Sequence, residues 1–147
     1  MDKVNKALEL FNQGCNCAQA VFSVYSNELG IEKETALKTA HGFGAGMGRL
    51  QEVCGAVTGA YMVLGLKYGS AAANDTAAKE KLYGLIREFA QKFDERNKAT
   101  ICRDLLGVDL INGDKKINAA RVKAVCPKAV KDAVEILEEL SVERKTL

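Results

Sequence analysis

The chain has 147 residues, of which 48% are hydrophobic, 21 are Lys or Arg and 19 are Asp or Glu, giving a formal net charge of +2. That length suits one domain with a sizeable core, and the near-neutral balance gives no electrostatic basis for bulk nucleic-acid binding. A single Pro excludes a Pro-rich linker and fits long helices.

The first segment, residues 2–13, carries Val4, Ala7, Leu8 and Phe11 at helical spacing, with Gly14 as its stop. Asn16 is placed to cap a second helix over residues 17–29, with Ala20, Val21, Val24 and Tyr25 inward and Gly30 ending it. A third helix covers residues 33–41 through Ala36, Leu37 and Ala40. Glycine then recurs at every other position from Gly42 to Gly48. This stretch matches neither phosphate-loop pattern, because residue 47 is Met and residue 49 is Arg, and it follows a helix rather than a strand. It reads as a tight turn into the next helix, with Arg49 and Glu52 capping locally.

The fourth helix is expected over residues 52–69. Residues 53–66 are nearly all apolar, too few for the ~20 residues of a membrane span, so a buried helix and no membrane partner are expected. Gly55 and Gly59 share a helix face, which admits another backbone closely, within the domain or across a homodimer. Asn74 or Asp75 caps a long fifth helix with Leu82, Leu85, Ile86, Phe89 and Phe93 as its stripe. Thr100 caps a short helix from Cys102 to Leu106, closed by Gly107. Residues 108–116 read as a loop and residues 117–124 as a weak helix. Pro127 then opens the last helix, whose core face is Val130, Ala133, Val134, Leu137 and Leu140, with fraying from Val142 to Leu147. Nothing alternates at period two, so the expected fold is all-α, one domain over residues 1–147, a bundle of six to seven helices.

The five cysteines are Cys15, Cys17, Cys54, Cys102 and Cys126. An odd number, behind a start without an apolar signal segment, argues against a secreted disulfide scaffold. The cytoplasm is the expected compartment, where thiols stay reduced unless catalytic, redox-sensing or metal-bound. Four of the five fall at expected helix starts, where free N–H groups and the helix dipole favour thiolate. Cys15-Asn16-Cys17 is too tight for a zinc knuckle, and C-x-x-C is absent. An iron–sulfur cluster, by contrast, can draw four thiolates from widely separated positions. Four thiolates on a [2Fe–2S] core leave a formal charge of about −2. The basic run Lys115, Lys116, Arg121, Lys123, Lys128 and Lys131 has no acidic residue in it and brackets Cys126. It reads as a solvated helix face, as compensation for an anionic site, or as a dock for an acidic redox partner. The lone His41 reads as a packed or exposed residue, and Tyr61 and Tyr68 as core residues with a polar tip.

Cys54-Gly55-Ala56-Val57-Thr58-Gly59, with Cys17 before it and Cys102 and Cys126 after it, resembles the C_GCAxxG_C_C family of small bacterial and archaeal proteins assigned a redox role. The likeness runs from about residue 7 to residue 139 and includes the glycine-rich lead-in. It implies a helical domain and a redox role through the four cysteines. It also implies an association with iron–sulfur and haem settings, without a substrate or an enzymatic reaction. Cys15 departs from the pattern, as an alternate ligand, a resolving thiol or a buried apolar residue. The expected site is therefore Cys17, Cys54, Cys102 and Cys126 holding an iron–sulfur cluster, [2Fe–2S], that passes single electrons to a redox partner protein. The alternatives are a thiol–disulfide protein with Cys54 as the attacking thiolate, and a non-redox module whose cysteines bind zinc or only hold the fold.

Overall fold

Among the described residues, seven right-handed helices build the domain and there is no β-strand. The computed structural model describes residues 2–145. The helices are α1 Asp2–Asn12, α2 Cys17–Ser23, α3 Lys33–His41, α4 Gly55–Tyr68, α5 Thr76–Asn97, α6 Cys102–Leu106 and α7 Lys115–Lys145. The fold is thus the all-α bundle that the periodicity requires.

The short helix α2 lies at the centre, with all but one of its residues buried. It packs first on α4 and α3, then on α1 and α7. Its start is set locally. Asn16 Oδ1 accepts from Gln19 N–H at 2.9 Å and Gln19 Oε1 accepts from Asn16 N–H at 3.0 Å, a reciprocal capping box. The same two side chains donate to the carbonyls of His41 and Leu37, which ties α2 to α3. The helix stops at Ser23, six residues short of the expected end. Beyond it the Tyr25 and Ser26 N–H groups bond three residues back, and the Ser26 hydroxyl donates to the Ser23 carbonyl. A serine that bonds the preceding turn competes with helix continuation. Tyr25 stays buried all the same.

Gly55 and Gly59 seat α4 directly on α2. A Cβ on Gly59 would stand 2.9 Å from the Ala18 carbonyl oxygen, and one on Gly55 3.0 Å from the Ala18 nitrogen. The glycine face is used inside the chain, which answers the alternative of a dimer contact there. Helix α4 starts at Gly55, not near Glu52, and its N-cap Cys54 makes no side-chain cap bond. Arg49 and Glu52 do not cap it. Their segment is held instead by backbone bonds to residues 102 and 103.

The last third of the chain departs most from expectation. Residues 115–145 form one helix with Pro127 inside it, where a weak helix and a separate Pro-initiated helix were expected. An interior Pro removes one hydrogen bond and costs about 3 kcal/mol. Burying a Val or Leu side chain contributes about 1.5–3 kcal/mol each, and Val130, Val134, Ile136, Leu137 and Leu140 are all buried beyond the Pro. Core packing therefore carries the helix through. Its true start lies at Asp114, whose carboxylate accepts from the N–H groups of Lys116 and Ile117. The helix also runs through the segment expected to fray as far as Lys145, while residues 146 and 147 lie outside the described residues.

Candidate functional site

All five cysteines line one cavity of about 290 Å³. Four separate stretches of backbone bring them there. Cys17 opens α2 behind the Asn16 cap, and Cys15 precedes that cap. Cys54 is the N-cap of α4. Cys102 opens α6 behind Ile101, so Ile101 and not Thr100 is the cap. Cys126 sits within α7, one residue before Pro127. The expectation that all four candidates occupy helix starts therefore fails at Cys126, because the helix extends twelve residues upstream of Pro127.

A single antiparallel bridge, Val53 with Ile101, joins two of these stretches. Around it Cys54 N–H donates to the Thr100 carbonyl at 2.8 Å, and Cys102 N–H donates to the Glu52 carbonyl at 2.6 Å. Thr100 thus serves through its backbone, not its side chain. Cys54 and Cys102 lie diagonally across the bridge, a position from which side chains of one face reach each other.

The turn before this bridge is unusual. Residues 45–49 all have positive φ, with Ala45 at 56°, Gly46 at 65° and Gly48 at 62°. This makes a left-handed turn, and Gln51 also has φ 57°. Left-handed backbone costs roughly 1–2 kcal/mol at each residue that carries a Cβ, which accounts for Gly46 and Gly48. Gly44 lies outside the left-handed stretch and is required instead because a Cβ there would stand 2.3 Å from the Asn16 side chain. Gly46 has a second reason: a Cβ there would stand 2.5 Å from Gln51 Cα. Gln51 holds the turn in place. It is buried, its Nε2 donates to the Val108 carbonyl at 2.8 Å and its Oε1 accepts from Leu110 N–H at 2.9 Å. Ala45 and Gly46 form part of the cavity wall. Sequence reasoning misses Gln51, whose only signal is a polar residue between the glycine run and the CGAxxG segment.

The rest of the lining is largely apolar and includes Phe11, Leu106, Val122 and Val125. His41 is exposed and takes no part. Tyr61 packs edge-on against Phe89 at 5.9 Å, and Lys81 stands over the Tyr68 ring at 5.6 Å.

Burial governs the thiols more than helix starts do. Burial pushes Cys54 up to about 12, although the N–H groups of Ala56 and Val57 pull the other way. Burial also pushes Cys102 up to about 11, with Arg103 opposing. The Cys17 and Cys126 thiols neighbour each other and share a hydrogen bond. This raises Cys17 and lowers Cys126. Each of the four cysteines acts electrostatically on the other three. The preference for Cys54 as attacking thiolate is therefore corrected, since the thiol most readily ionised in this set is Cys126. Among the described residues, no three His, Cys, Asp or Glu side chains are grouped as around a metal ion.

No curated protein and no solved structure matches this chain. One family model does, over residues 15–140, and its description is "Putative redox-active protein (C_GCAxxG_C_C)". The match spans all five cysteines, the left-handed turn and the bridge between residues 53 and 101, and the chain belongs to the C_GCAxxG_C_C family.

Proposed function

We propose that Cys17, Cys54, Cys102 and Cys126 hold an iron–sulfur cluster, [2Fe–2S], and that the protein exchanges single electrons with a partner protein. The observation that carries this reading is the meeting of four thiols from four separate backbone stretches at one largely apolar cavity. The donor set fits in chemistry, because it consists of sulfur and iron–sulfur cores are held by thiolates. Ligation requires the sulfurs to close inward, since no three of them are grouped around an ion. When bound, such a cluster supplies a one-electron couple. The chain supplies the rest. Helices α2, α4 and α6 each present a cysteine at or next to the N-terminus, where free N–H groups favour anionic sulfur. Phe11, Leu106, Val122 and Val125 exclude water, and Arg103 acts on Cys102 as a cation.

The contact between Cys17 and Cys126 favours a second reading, a dithiol–disulfide couple. In it the Cys126 thiolate attacks a partner disulfide and releases one partner thiolate, which takes up a proton. Cys17 then gives up its proton and displaces the second partner thiolate, leaving a Cys17–Cys126 disulfide and two electrons on the partner.

The test is an absorption spectrum with iron, zinc and acid-labile sulfide analysis on protein purified and reconstituted without oxygen. The expected result is a coloured protein with iron and sulfide. Cys→Ser at any of the four positions loses the colour, and Cys15→Ser retains it. A protein that stays colourless after reconstitution overturns the cluster. Loss of two thiols on oxidation, mapped to Cys17 and Cys126, then establishes the second reading. Five unchanged thiols leave a structural site.

A further inference from the structure

The first three turns of α7 stand apart from the rest of that helix. From Lys115 to Ala124 only Asn118 is buried, whereas beyond Pro127 the helix is core. Lys115 and Lys116 sit in the first turn with no acidic residue beside them in that turn. Cations at a helix N-terminus oppose the dipole. Among the described residues Lys115, Lys116 and Lys123 pair with no carboxylate, and the carboxylates of Asp109 and Asp114 are engaged by backbone N–H groups. Large apolar side chains stand exposed at the same end: Ile117 at 59%, Ile111 at 62% and Leu50 at 59%. This end borders the cavity. Val122, Val125 and Cys126 line it from α7, and Leu110, next to Ile111, lines it from the preceding loop. Arg121 ties the helix to the cavity wall through the Leu105 and Leu106 carbonyls.

We propose that this basic and apolar face of α7, beside the cysteine cavity, docks the acidic surface of a partner protein. Basic residues placed where they weaken their own helix are accounted for by an anionic surface that arrives from outside. Exposed Ile111, Ile117 and Leu50 supply the apolar contact that charge alone lacks. A second copy of the chain does not suit the face, since a two-fold contact would set lysines against lysines. The proposal rests on the redox reading only for the choice of partner. The docking itself requires neither cluster nor disulfide.

The test is a chemical-shift titration of the nitrogen-15-labelled full chain, as purified. An acidic flavodoxin is the probe, with a basic cytochrome c and a short DNA duplex as comparisons. Flavodoxin is expected to shift residues 50, 103 and 110–124, with affinity falling about tenfold between low and physiological salt. The double variant Lys116→Glu, Lys123→Glu weakens binding about tenfold. Lys33→Glu with Lys79→Glu, on other faces, leaves it within about twofold. Lys116→Glu places an acid where the dipole favours one, so α7 remains folded and its spectrum shows it. Shifts elsewhere, no shifts with flavodoxin, or equal binding of the cytochrome overturn the proposal. Tighter binding of DNA, or self-association abolished by the same double variant, also overturns it. Docking without electron exchange would count against the function proposed above and not against this face; electron exchange without docking would do the reverse.

Discussion

At the scale of single residues, the decisive contrast is between Cys54 and Cys126. Cys54 has the favourable helix start, yet its near-complete burial pushes it up to about 12. Cys126 has no helix start, yet the hydrogen bond shared with Cys17 lowers it. Desolvation of a thiolate outweighs two N–H groups, whereas a direct hydrogen bond outweighs partial burial. In the reduced, metal-free protein, Cys126 should therefore be alkylated at lower pH than Cys17, Cys54 or Cys102. Cys17→Ala should move its reaction to higher pH. Peptide mapping after iodoacetamide treatment across a pH series reads both, and a Cys126 profile unchanged by Cys17→Ala would refute the assigned hydrogen bond.

At the scale of elements, glycine has opposite meanings at two positions of α4. Gly59 faces Ala18 at a separation that leaves no room for a methyl group, whereas a Cβ added at Gly65 would meet nothing within 4 Å. Gly59→Ala should destabilise by about 1–3 kcal/mol, as overpacking against backbone does. Gly65→Ala should stabilise by about 0.5–1 kcal/mol through backbone entropy. Urea unfolding of the two variants checks the pair, with unchanged solution mass in both, because the Gly59 contact lies within the chain. In sequence Gly59 is set apart only by its pairing with Gly55 four residues before it, and nothing there names the element that packs on it. What separates them is the position of α2, which local pattern does not specify. The same holds for α7, where Pro127 reads as a start by local rules and becomes interior because five large apolar side chains beyond it are buried.

At the scale of the whole molecule, the buried thiols tie stability to pH. A thiol whose pKa is raised on folding stays neutral in the folded state after the unfolded chain has ionised. Its contribution is complete below the ordinary value of 9.0 and is lost as pH rises toward the folded value, about 11 for Cys102 and about 12 for Cys54. The reduced, metal-free protein should lose stability from pH 9 upward, and Cys54→Ala should flatten that slope. Urea midpoints at successive pH values measure it, and parallel slopes in the two proteins would contradict the burial of Cys54. No helix among the described residues is long and apolar enough to cross a membrane.

Sequence alone determined the helical class, the cap at Asn16, a cap at Asn74 or Asp75 of which the structure uses Asp75, most core faces and the four cysteines worth comparing. Each depends on periodicity or on a side chain bonding its own neighbourhood, and such interactions span only a few residues. Tertiary structure alone decided the convergence of those cysteines on one cavity, the burial that reverses the helix-start argument at Cys54, and the role of Gln51. It also decided the continuity of α7 through Pro127. These depend on contacts between distant segments, such as Val53 with Ile101 and Gln51 with Val108, whose free energy appears only once the chain has closed on itself.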